Sequence, residues 1–335
     1  MNKQNLPNVG SASTPSSKSL SQWLSYLESI HPSAIDMGLD RVKAVAEEMA
    51  LELDDPLVIT VAGTNGKGTT CRMLEQALIA QGKTVAVYSS PHLTDYRERV
   101  RYKGEIAAEQ AFFDAFEFVE KARGDITLTY FEFGTLAAMK MIQTWKVDVA
   151  ILEVGLGGRL DATNIIDPDL AIVTTIDLDH QDWLGNTREK IAREKAGIMR
   201  KHGKAVVGEL FPPSSLYDVA DELSAQVRWA TQHFNSIVAQ DHQEWTWNGQ
   251  THSFKHLPYP KIPLQNASTA LAALEFLDLL PEEKLLKDII DNTTMPGRQQ
   301  TISQSPLVVV DVAHNPQATS AMLSWLNRYD VSICV

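Results

Sequence analysis

The amino-acid sequence predicts an α/β fold in which helices cover both faces of a mostly parallel sheet. Short, wholly apolar runs alternate with segments of helical periodicity, and a glycine-rich turn follows the first apolar run. Strands that are apolar throughout need cover on both sides, which is typical of parallel sheets. Hydrophobic residues make up 44% of the 335-residue chain, which is enough to build one large domain and part of a second.

The order of the elements follows from hydrophobic periodicity. Apolar residues at helical spacing predict helices at 20–27, 39–51, 69–80, 133–145, 187–200, 266–280, 281–291 and 317–327. Short apolar runs predict strands at 57–62, 84–88, 147–154, 170–176, 204–208, 307–310 and 331–335. The first strand, helix and second strand form a βαβ unit of ordinary length, and such a unit pairs its strands in parallel.

A different texture, with polar and aromatic residues alternating, runs from Val227 to Pro263. The pair Asn248-Gly249 within it predicts a hairpin with a two-residue turn. Three histidines lie in the same stretch, His242, His252 and His256, but their spacing matches no zinc site and no cysteine is near. The preferred interpretation is therefore a sheet face.

Composition excludes several classes of function. The net charge of −12 argues against nucleic acid as the main partner. With only two cysteines, Cys71 and Cys334, the chain has no disulfide framework and fits a reducing compartment. Residues 1–19 are rich in Ser, Asn and Pro and are predicted to be a disordered tail. They lack the apolar segment of a signal peptide or an anchor. No apolar stretch reaches the length of a membrane span, so a cytoplasmic protein without membrane or nucleic-acid partners is expected.

The strongest chemical signal is the segment from Gly63 to Thr70, between a predicted buried strand and a helix. Its glycines let backbone N–H groups surround a phosphate, Lys67 can reach the terminal phosphates, and Thr69 can bind Mg²⁺. The motif departs from the usual P-loop, because Val61 replaces the first glycine and Gly68 separates the lysine from the threonine. The alternative is a glycine-rich turn with a solvated lysine.

Polar residues also follow successive predicted strands. Ser89 and Ser90 come after the second strand, Glu153 lies at the end of the third, and Asp177, Asp179 and His180 follow the fourth. The carboxyl ends of parallel strands line one crevice, so these groups are expected beside the phosphate loop, with Glu153 as a metal ligand. Taken alone, Glu153 could cap a loop, His180 could be structural, and Lys195 would be a solvated lysine paired with a carboxylate one turn away.

Taken together, these segments resemble the folylpolyglutamate synthase and dihydrofolate synthase family, within the Mur-ligase superfamily. The matching segments are 64–69 (TNGKGT), 89–93 (SSPHL), 130–133 (YFEF), 152–164 (LEVGLGGRLDATN), 178–185 (LDHQDWLG), 193–198 (REKAGI), 265–267 (QNA), 295–298 (MPGR) and 311–316 (DVAHNP). They occur in the family's order from about residue 20 onward, and the variant loop with Gly68 favours the folate branch over the cell-wall ligases.

The resemblance implies a role for each matching residue. It places ATP on Asn65, Gly66, Lys67, Gly68, Thr69, Asn266, Arg298, Asp311 and His314. One magnesium ion would bind Ser90 and Glu153, with Thr69, and a second would be served by His180. Lys195 matches the family's carbamylated lysine, whose negative charge helps to hold Mg²⁺; the implied catalytic residues are Lys67, Lys195 and His180. The substrate pocket would involve Thr129, Phe131, Arg159, Asp161 and Ala162.

The implied enzyme is an ATP-dependent acid–amino-acid ligase. It would add L-glutamate to dihydropteroate, forming dihydrofolate, and to folates, forming folylpolyglutamates, through an acyl phosphate. The expected cofactors are ATP, two Mg²⁺ ions and the carbamylated lysine, and a monomer is expected. The alternatives are a P-loop kinase or NTPase, a nucleotide-binding fragment without full activity and, less favoured, a cell-wall Mur ligase.

The sequence also predicts three parts of the chain. After the tail, residues 20–296 would form the ATP-binding ligase domain with its folate pocket, and residues 297–335 would begin an incomplete C-terminal glutamate-ligase domain. The stretch from Arg298 to Val335 is too short to bury its own apolar strands. A truncated or partial chain is therefore expected.

Overall fold

The computed structural model describes residues 18–326, and an eight-stranded sheet forms its centre. The predicted tail residues 1–17 and the predicted strand 331–335 lie outside the described residues. The strands of the large sheet are β1 (Leu57–Ala62), β2 (Val85–Tyr88), β3 (Val100–Tyr102), β4 (Glu105–Ile106), β5 (Val149–Glu153), β6 (Leu170–Val173), β7 (Lys204–Val207) and β8 (Gln226–Trp229). Their spatial order is β4-β3-β2-β5-β1-β6-β7-β8, parallel from β2 to β8 and antiparallel at β3 and β4.

Eleven α-helices and two smaller sheets complete the described part of the chain. The helices are α1 (Leu20–Ser29), α2 (Asp40–Glu48), α3 (Lys67–Ala80), α4 (Glu109–Arg123), α5 (Tyr130–Trp145), α6 (Gln181–Leu184), α7 (Arg188–Ala196), α8 (Ser214–Glu222), α9 (Leu264–Phe276), α10 (Glu283–Asn292) and α11 (Pro316–Leu326). The remaining strands are β9 (Asn235–Val238), β10 (Glu244–Asn248), β11 (Ser253–Pro258), β12 (Gln300–Gln304) and β13 (Leu307–Val310). The predicted α/β class with a parallel sheet is confirmed.

The central strands send alternate side chains to opposite faces of the sheet. In β6, Leu170 and Ile172 enter the core beneath α3, α9 and α10, whereas Ala171 and Val173 enter the core beneath α7 and α8. On that second face, helices α1, α2, α4 and α5 cover the β2–β5 side. Burial on both faces explains why these strands are apolar throughout.

The three-stranded sheet β11-β10-β9 packs beside α9. The predicted hairpin exists, with Trp245 and Trp247 buried on one face and the indole of Trp247 donating to the Ser268 carbonyl at 3.2 Å. The predicted two-residue turn is wrong, because β10 ends at Asn248 and β11 begins only at Ser253. The longer loop is held by the buried carboxylate of Glu275, which accepts backbone N–H groups of the loop.

Several elements are absent from the sequence prediction. Helix α4 carries apolar residues at helical spacing, of which Phe112, Phe116 and Val119 are buried, so its periodicity was available in the sequence. Strands β3 and β4 are three and two residues long and rich in charge, so hydrophobic patterning gives no signal for them. Helix α8 and strands β8, β9 and β12 were likewise not predicted.

Other predicted elements are confirmed with shifted ends. The predicted strand 147–154 is trimmed to Val149–Glu153, although the flanking Val147 and Val154 are buried as well. Burial of an apolar residue therefore does not require strand pairing. Within residues 18–326, no helix combines the length and apolarity that crossing a bilayer demands.

Candidate active site

A cleft of about 1210 Å³ runs along the carboxyl ends of the parallel strands. Its lining combines the loops that follow β1, β2, β5, β6 and β7 with residues from α9 and from the segment 295–322. The strand order reverses direction at β1, and in open α/β sheets ligands bind outside the strand ends at such a point. As expected from the sequence, the polar residues that follow the strands line this cleft together; they include Ser89, Ser90, Glu153, Asp179 and His180.

The loop after β1 leads directly into α3. Gly66 is the N-cap residue with φ +88°, and a Cβ there would lie 2.4 Å from Oδ1 of Asn266. Only glycine fits this left-handed position against a neighbouring side chain. Asn266 in turn donates to the Thr69 hydroxyl at 2.7 Å, so α9 supports the first turn of α3. The result is a helix N-terminus whose free N–H groups face the cleft, a suitable site for phosphate.

Lys67 and Lys195 converge on one acceptor. The Nζ atom of Lys67 donates to the Gly63 carbonyl at 2.9 Å, and Nζ of Lys195, from α7, donates to the same carbonyl at 3.0 Å. Lys195 is only 4% exposed, and burial together with the charge of Lys67 lowers its pKa to about 7. A large share of Lys195 is therefore the neutral amine at neutral pH, and a neutral amine is a nucleophile.

Glu153 ends β5 beside the glycine loop. The carboxylate is buried, and burial raises its pKa against the opposing charges of Lys67 and Arg101 and a backbone hydrogen bond from Ser90. A Cβ placed on Gly68 would lie 3.6 Å from Oε2 of Glu153, so the phosphate loop closely approaches this carboxylate. The oxygen donors of Glu153, Ser90 and Thr69 are the type that Mg²⁺ prefers, and the donor set fits that ion.

His180 lies further out. It lines the cleft, but its side chain is 53% exposed and its Nε2 atom lies 3.9 Å from Oδ1 of Asp179. Across residues 18–326, no three side chains of His, Cys, Asp or Glu come together as a metal cluster. A second ion at His180 and Lys195 fits the donors only if Lys195 carries a negative group, because an ammonium opposes a cation.

Three further predicted nucleotide-binding residues come from the C-terminal segment and line the same cleft. Nη1 of Arg298 lies 3.8 Å from Oδ1 of Asp311, and this carboxylate also accepts the N–H groups of Gln299 and Ala313. His314 is exposed, with Nδ1 at 2.9 Å from the Val312 carbonyl. The structure thus brings Arg298 and Asp311 together in the cleft that Asn266 also lines.

The predicted substrate residues divide into three groups. Phe131 lines the cleft against Gly155, where a Cβ would approach the ring to 2.5 Å, and Ala162 lines it nearby. Thr129 and Asp161 are buried and their side chains are used locally: Thr129 caps α5, while Asp161 accepts from Leu156 and Thr163. They shape the wall of the cleft, and burial raises the pKa of Asp161.

Arg159 is the exception among the predicted residues, because it is not part of the cleft lining. Its side chain is 53% exposed and forms an ion pair with Glu194 at 2.9 Å on the outer side of the loop. The packing of Gly197 against the Arg159 side chain fixes this orientation. A role for Arg159 toward the substrate stays a prediction that this geometry does not support.

Sequence reasoning missed several residues of the cleft. The segment 34–38, between α1 and α2, lines the cleft. Arg72, Arg99 and Arg101 also line the cleft. Arg99 and Arg101 lie two residues apart, shortly after the Ser-Ser-Pro-His-Leu segment. In an extended chain this spacing places both side chains on the same face, and it was the one signal in the sequence that could have located them together.

The amide side chains of Asn315 and Gln317 were missed as well. The side chain of Asn65 exchanges two hydrogen bonds of 3.0 Å with Asn315 and donates to Oε1 of Gln317 at 2.7 Å. Gln317 also accepts from the Thr175 hydroxyl, after β6. The start of α11 is thereby attached to the phosphate loop.

The family model of the Mur ligase middle domain matches residues 61–273. The curated dihydrofolate synthase/folylpolyglutamate synthase of Escherichia coli K12 is 52% identical over 306 residues, covering 91% of this chain and 72% of that protein. The solved structure of E. coli FolC in complex with DHPP and ADP superposes with a TM-score of 0.91 at 48% identity, covering 94% of this chain and 76% of that one. A bifunctional folylpolyglutamate synthase/dihydrofolate synthase with Mn, AMPPNP and L-glutamate bound gives a TM-score of 0.86 at 48% identity, covering 93% and 75%.

Proposed function

The chain belongs to the dihydrofolate synthase/folylpolyglutamate synthase family, and from this premise we propose how its own residues serve the reaction of that family. Members of this family are ATP-dependent ligases that add L-glutamate, and they share the Mur ligase middle domain. The observation that carries the proposal is the convergence of Lys67, Lys195 and Glu153 on the glycine loop in one cleft. A phosphate-binding loop, a buried carboxylate and a buried amine together suit phosphoryl transfer followed by amide formation.

In the first step, a carboxylate oxygen of dihydropteroate or of a folate attacks the γ-phosphorus of ATP. The new oxygen–phosphorus bond forms as the bond to the bridging oxygen of ADP breaks, and the product is an acyl phosphate. The N–H groups of the glycine loop hold the phosphates, and Lys67 leaves the Gly63 carbonyl to pair with the charge on the transferring group. Asn266, Arg298, Asp311 and His314 bind the rest of ATP.

In the second step, the amine of L-glutamate attacks the acyl carbon. A tetrahedral intermediate forms and collapses as the carbon–oxygen bond to phosphate breaks; the nitrogen loses a proton to become the amide, and inorganic phosphate leaves as hydrogen phosphate, which accounts for that proton. The walls that contain Phe131, Asp161 and Ala162 hold the pteroate part in place, so the acyl carbon faces the incoming amine.

A divalent metal belongs at the cleft floor. Glu153, Ser90 and Thr69 would hold one Mg²⁺, and His180 with a modified Lys195 would hold a second. The ions would supply positive charge to the phosphate oxygens. Glu153 is suited to this role because its burial already disfavours an unpaired negative charge there.

Lys195 is proposed to carry a carbamate. Its neutral amine, favoured by burial and by Lys67, attacks CO₂, the nitrogen–carbon bond forms, and one proton is released. The charge at this buried position changes from positive to negative, which suits a cation site. In ¹³CO₂-equilibrated buffer, carbon NMR should show a carbamate signal that is lost in Lys195→Ala and kept in Lys190→Ala, a change in the exposed face of the same helix. A spectrum without the signal at pH 8 would contradict the modification.

The reaction is tested by glutamate-dependent release of ADP with dihydropteroate as acceptor. A ligase releases ADP over many turnovers only when carboxylate, ATP and L-glutamate are all present, and dihydrofolate appears in equal amount. ADP release over many turnovers without glutamate would favour a P-loop NTPase, and release with UDP-linked peptides in place of dihydropteroate would favour a cell-wall ligase. Nucleotide binding without turnover would identify a fragment that lacks full activity. A monomer in the cytoplasm also belongs to the proposal, and sedimentation equilibrium tests the first part.

A further inference from the structure

Arg99 is a positively charged residue of the cleft to which the proposed mechanism assigns no role. It lies in the short 3₁₀ turn Tyr96–Arg99 that precedes β3, and its side chain lines the cleft. Within residues 18–326, no Asp or Glu oxygen lies within ion-pair distance of Arg99, whereas Arg97 pairs with Asp95 and Arg101 with Glu75. A half-buried guanidinium that faces a ligand cleft without a carboxylate partner is suited to bind an anionic ligand group.

The side chain of Arg99 is held in a fixed position by uncharged neighbours. Its Nε atom donates to Nδ1 of His92 at 3.0 Å, and its charged carbon lies 5.4 Å and 5.6 Å from the ring centres of Tyr96 and Tyr130. Burial and the charge of Arg99 lower the pKa of His92, so the imidazole is neutral and accepts. These contacts orient the guanidinium and leave N–H donors for a ligand.

Arg99 lies between the proposed metal site at Ser90 and the proposed pteroate wall at Phe131. Its carbonyl accepts the N–H of Ser89, which places it one residue from Ser90, a proposed metal ligand. Its side chain lies on Tyr130, next to Phe131 in the proposed pteroate wall. Arg101 hydrogen-bonds Glu75 of α3 and the Ser89 hydroxyl, whereas the guanidinium of Arg99 lies against the rings of Tyr96 and Tyr130, so Arg99 is set back from α3 and its phosphate loop toward the pteroate wall.

The two proposed acceptors differ in what they place there. Dihydropteroate ends in a single carboxylate, which must reach the phosphate loop to react. A folate carries one more glutamyl unit, and the γ-carboxylate of that unit reacts. The same unit also has an α-carboxylate, which lies a few bonds closer to the pteroyl end and does not react. An arginine set back from the reaction centre meets that second carboxylate only in the folate.

We propose that Arg99 binds the non-reacting α-carboxylate of the glutamyl tail and so distinguishes folates from pteroates in this cleft. The inference rests on the proposed function, because it takes the acceptors from it. Two N–H groups of the guanidinium match the two oxygens of a carboxylate, and this pairing is the strong, bidentate kind. The ligand class is an α-carboxylate on an extended acyl chain.

The test compares two ligands that differ only by the glutamyl unit, tetrahydropteroate and tetrahydrofolate. Their dissociation constants are measured calorimetrically on the whole chain with a non-hydrolysable ATP analogue and Mg²⁺. Arg99→Met should weaken tetrahydrofolate about 10- to 100-fold, the usual value of a charge-assisted pair, and change tetrahydropteroate by less than about 2-fold. Arg97→Met, two residues away and outside the cleft lining, is the matched control and should change neither.

The outcomes separate the two proposals. If the unaltered chain binds neither ligand, the proposed function fails and the inference with it. If it binds both, and Arg99→Met weakens both equally or neither, the proposed function stands and the role of Arg99 is overturned. Should Arg99→Met not fold, Arg99→Lys decides by the same comparison: it keeps the charge but loses the planar pair of donors, so a loss of several-fold confined to tetrahydrofolate supports the inference, and an equal effect on both ligands overturns it.

Discussion

Lys67 and Lys195 share the Gly63 carbonyl as acceptor, but they differ in burial and therefore in what they can do. Lys67 begins α3 and is partly exposed to the cleft, so it can exchange the carbonyl for a phosphate oxygen. Lys195 is buried behind the loop and has no ion-pair partner in the described part of the chain. The Gly63 carbonyl therefore orients both Lys67, which can bind phosphate, and Lys195, which can lose its positive charge.

Replacing Lys67 should remove binding of phosphate but not the fold. Lys67→Ala is expected to weaken a non-hydrolysable ATP analogue by about 10- to 100-fold and to abolish amide formation, because it removes a charge-assisted bond to the terminal phosphates. Lys83→Ala, an exposed lysine just beyond α3, is the control and should leave the affinity unchanged. Turnover near that of the unaltered chain in Lys67→Ala would refute the assignment of the glycine loop.

Lys195 should make the stability of the chain depend on pH. Its pKa is about 7 in the folded chain against 10.5 for an ordinary lysine, so between these values the unfolded state holds a proton that the folded state lacks. The free energy of unfolding should therefore rise with pH from 7 toward 10.5, by about 1.4 kcal/mol per pH unit at the steepest.

Urea denaturation of the unaltered chain and of Lys195→Met, in carbonate-free buffer at pH 7, 8 and 9, measures this effect. The difference between the two should change with pH in favour of the unaltered chain. Curves that stay parallel would show that Lys195 titrates normally.

Loops in this structure are positioned by side chains from distant elements. Glu275 of α9 accepts the N–H groups of Gln250, Thr251 and His252 and pairs with Arg228 of β8. Asn315 and Gln317 hold the Asn65 amide in the phosphate loop from the start of α11. Each contact joins an element to a loop far away in the sequence.

Glu275→Gln should destabilise the chain by about 3 kcal/mol at pH 7, since it leaves Arg228 partly buried beside a neutral group. Burial alone would raise the pKa of Glu275, but the loop N–H groups hold it below 4.5. The contribution is therefore present above pH 4.5 and is lost as the pH falls through the lowered pKa. Urea denaturation at pH 7 and pH 3.5 measures both effects, with the exposed Glu52→Gln as control; a loss under about 0.5 kcal/mol at pH 7 would contradict the predicted role.

The amide contacts of α11 should support nucleotide binding. The double variant Asn315→Ala, Gln317→Ala is expected to weaken the ATP analogue by about 3- to 10-fold, because Asn65 loses hydrogen bonds worth about 1 kcal/mol that orient the loop. Calorimetry measures the affinity, and Thr301→Ala on the exposed β12 serves as the control. An unchanged affinity would mean that the loop holds its shape without α11.

The burial of side chains differs strongly between parts of the molecule. Strands β1, β5 and β6 lie in the centre of the sheet with almost every residue buried, whereas β12 and β13 form a two-stranded sheet without a buried residue. Two-stranded sheets are marginal on their own in water. The boundary near residue 296 between two predicted domains stays a prediction, but the difference in burial across it is clear.

Hydrogen exchange should reflect this difference. Amides of β1, β5 and β6 are expected to exchange at least about 100 times more slowly than those of β12 and β13, since local opening costs far less where little surface is buried. Addition of the ATP analogue should slow exchange near residues 313–319, which line or adjoin the cleft. Equal protection of the two regions, measured by mass spectrometry, would contradict this account.

The sequence by itself determined the elements whose signals are local. Apolar runs marked the buried strands, and the glycine loop before α3 and Glu153 at the end of β5 could be located because strand ends in a parallel sheet share one edge. Their chemistry depends on residue types within a few positions of each other. For the same reason the family could be identified from motifs read in order along the chain.

Only the tertiary structure decided which of these residues meet. Helical spacing by itself favoured a solvated Lys195, and only the family resemblance gave it another role; the fold buries it against Gly63, which lies 132 positions away. Arg159, predicted to bind the substrate, pairs with Glu194 outside the cleft lining, whereas Arg99 lines the cleft from a turn that the hydrophobic pattern did not mark. Burial, charge pairing and pKa depend on contacts between segments far apart in the chain, and hydrophobic periodicity holds no information about such contacts.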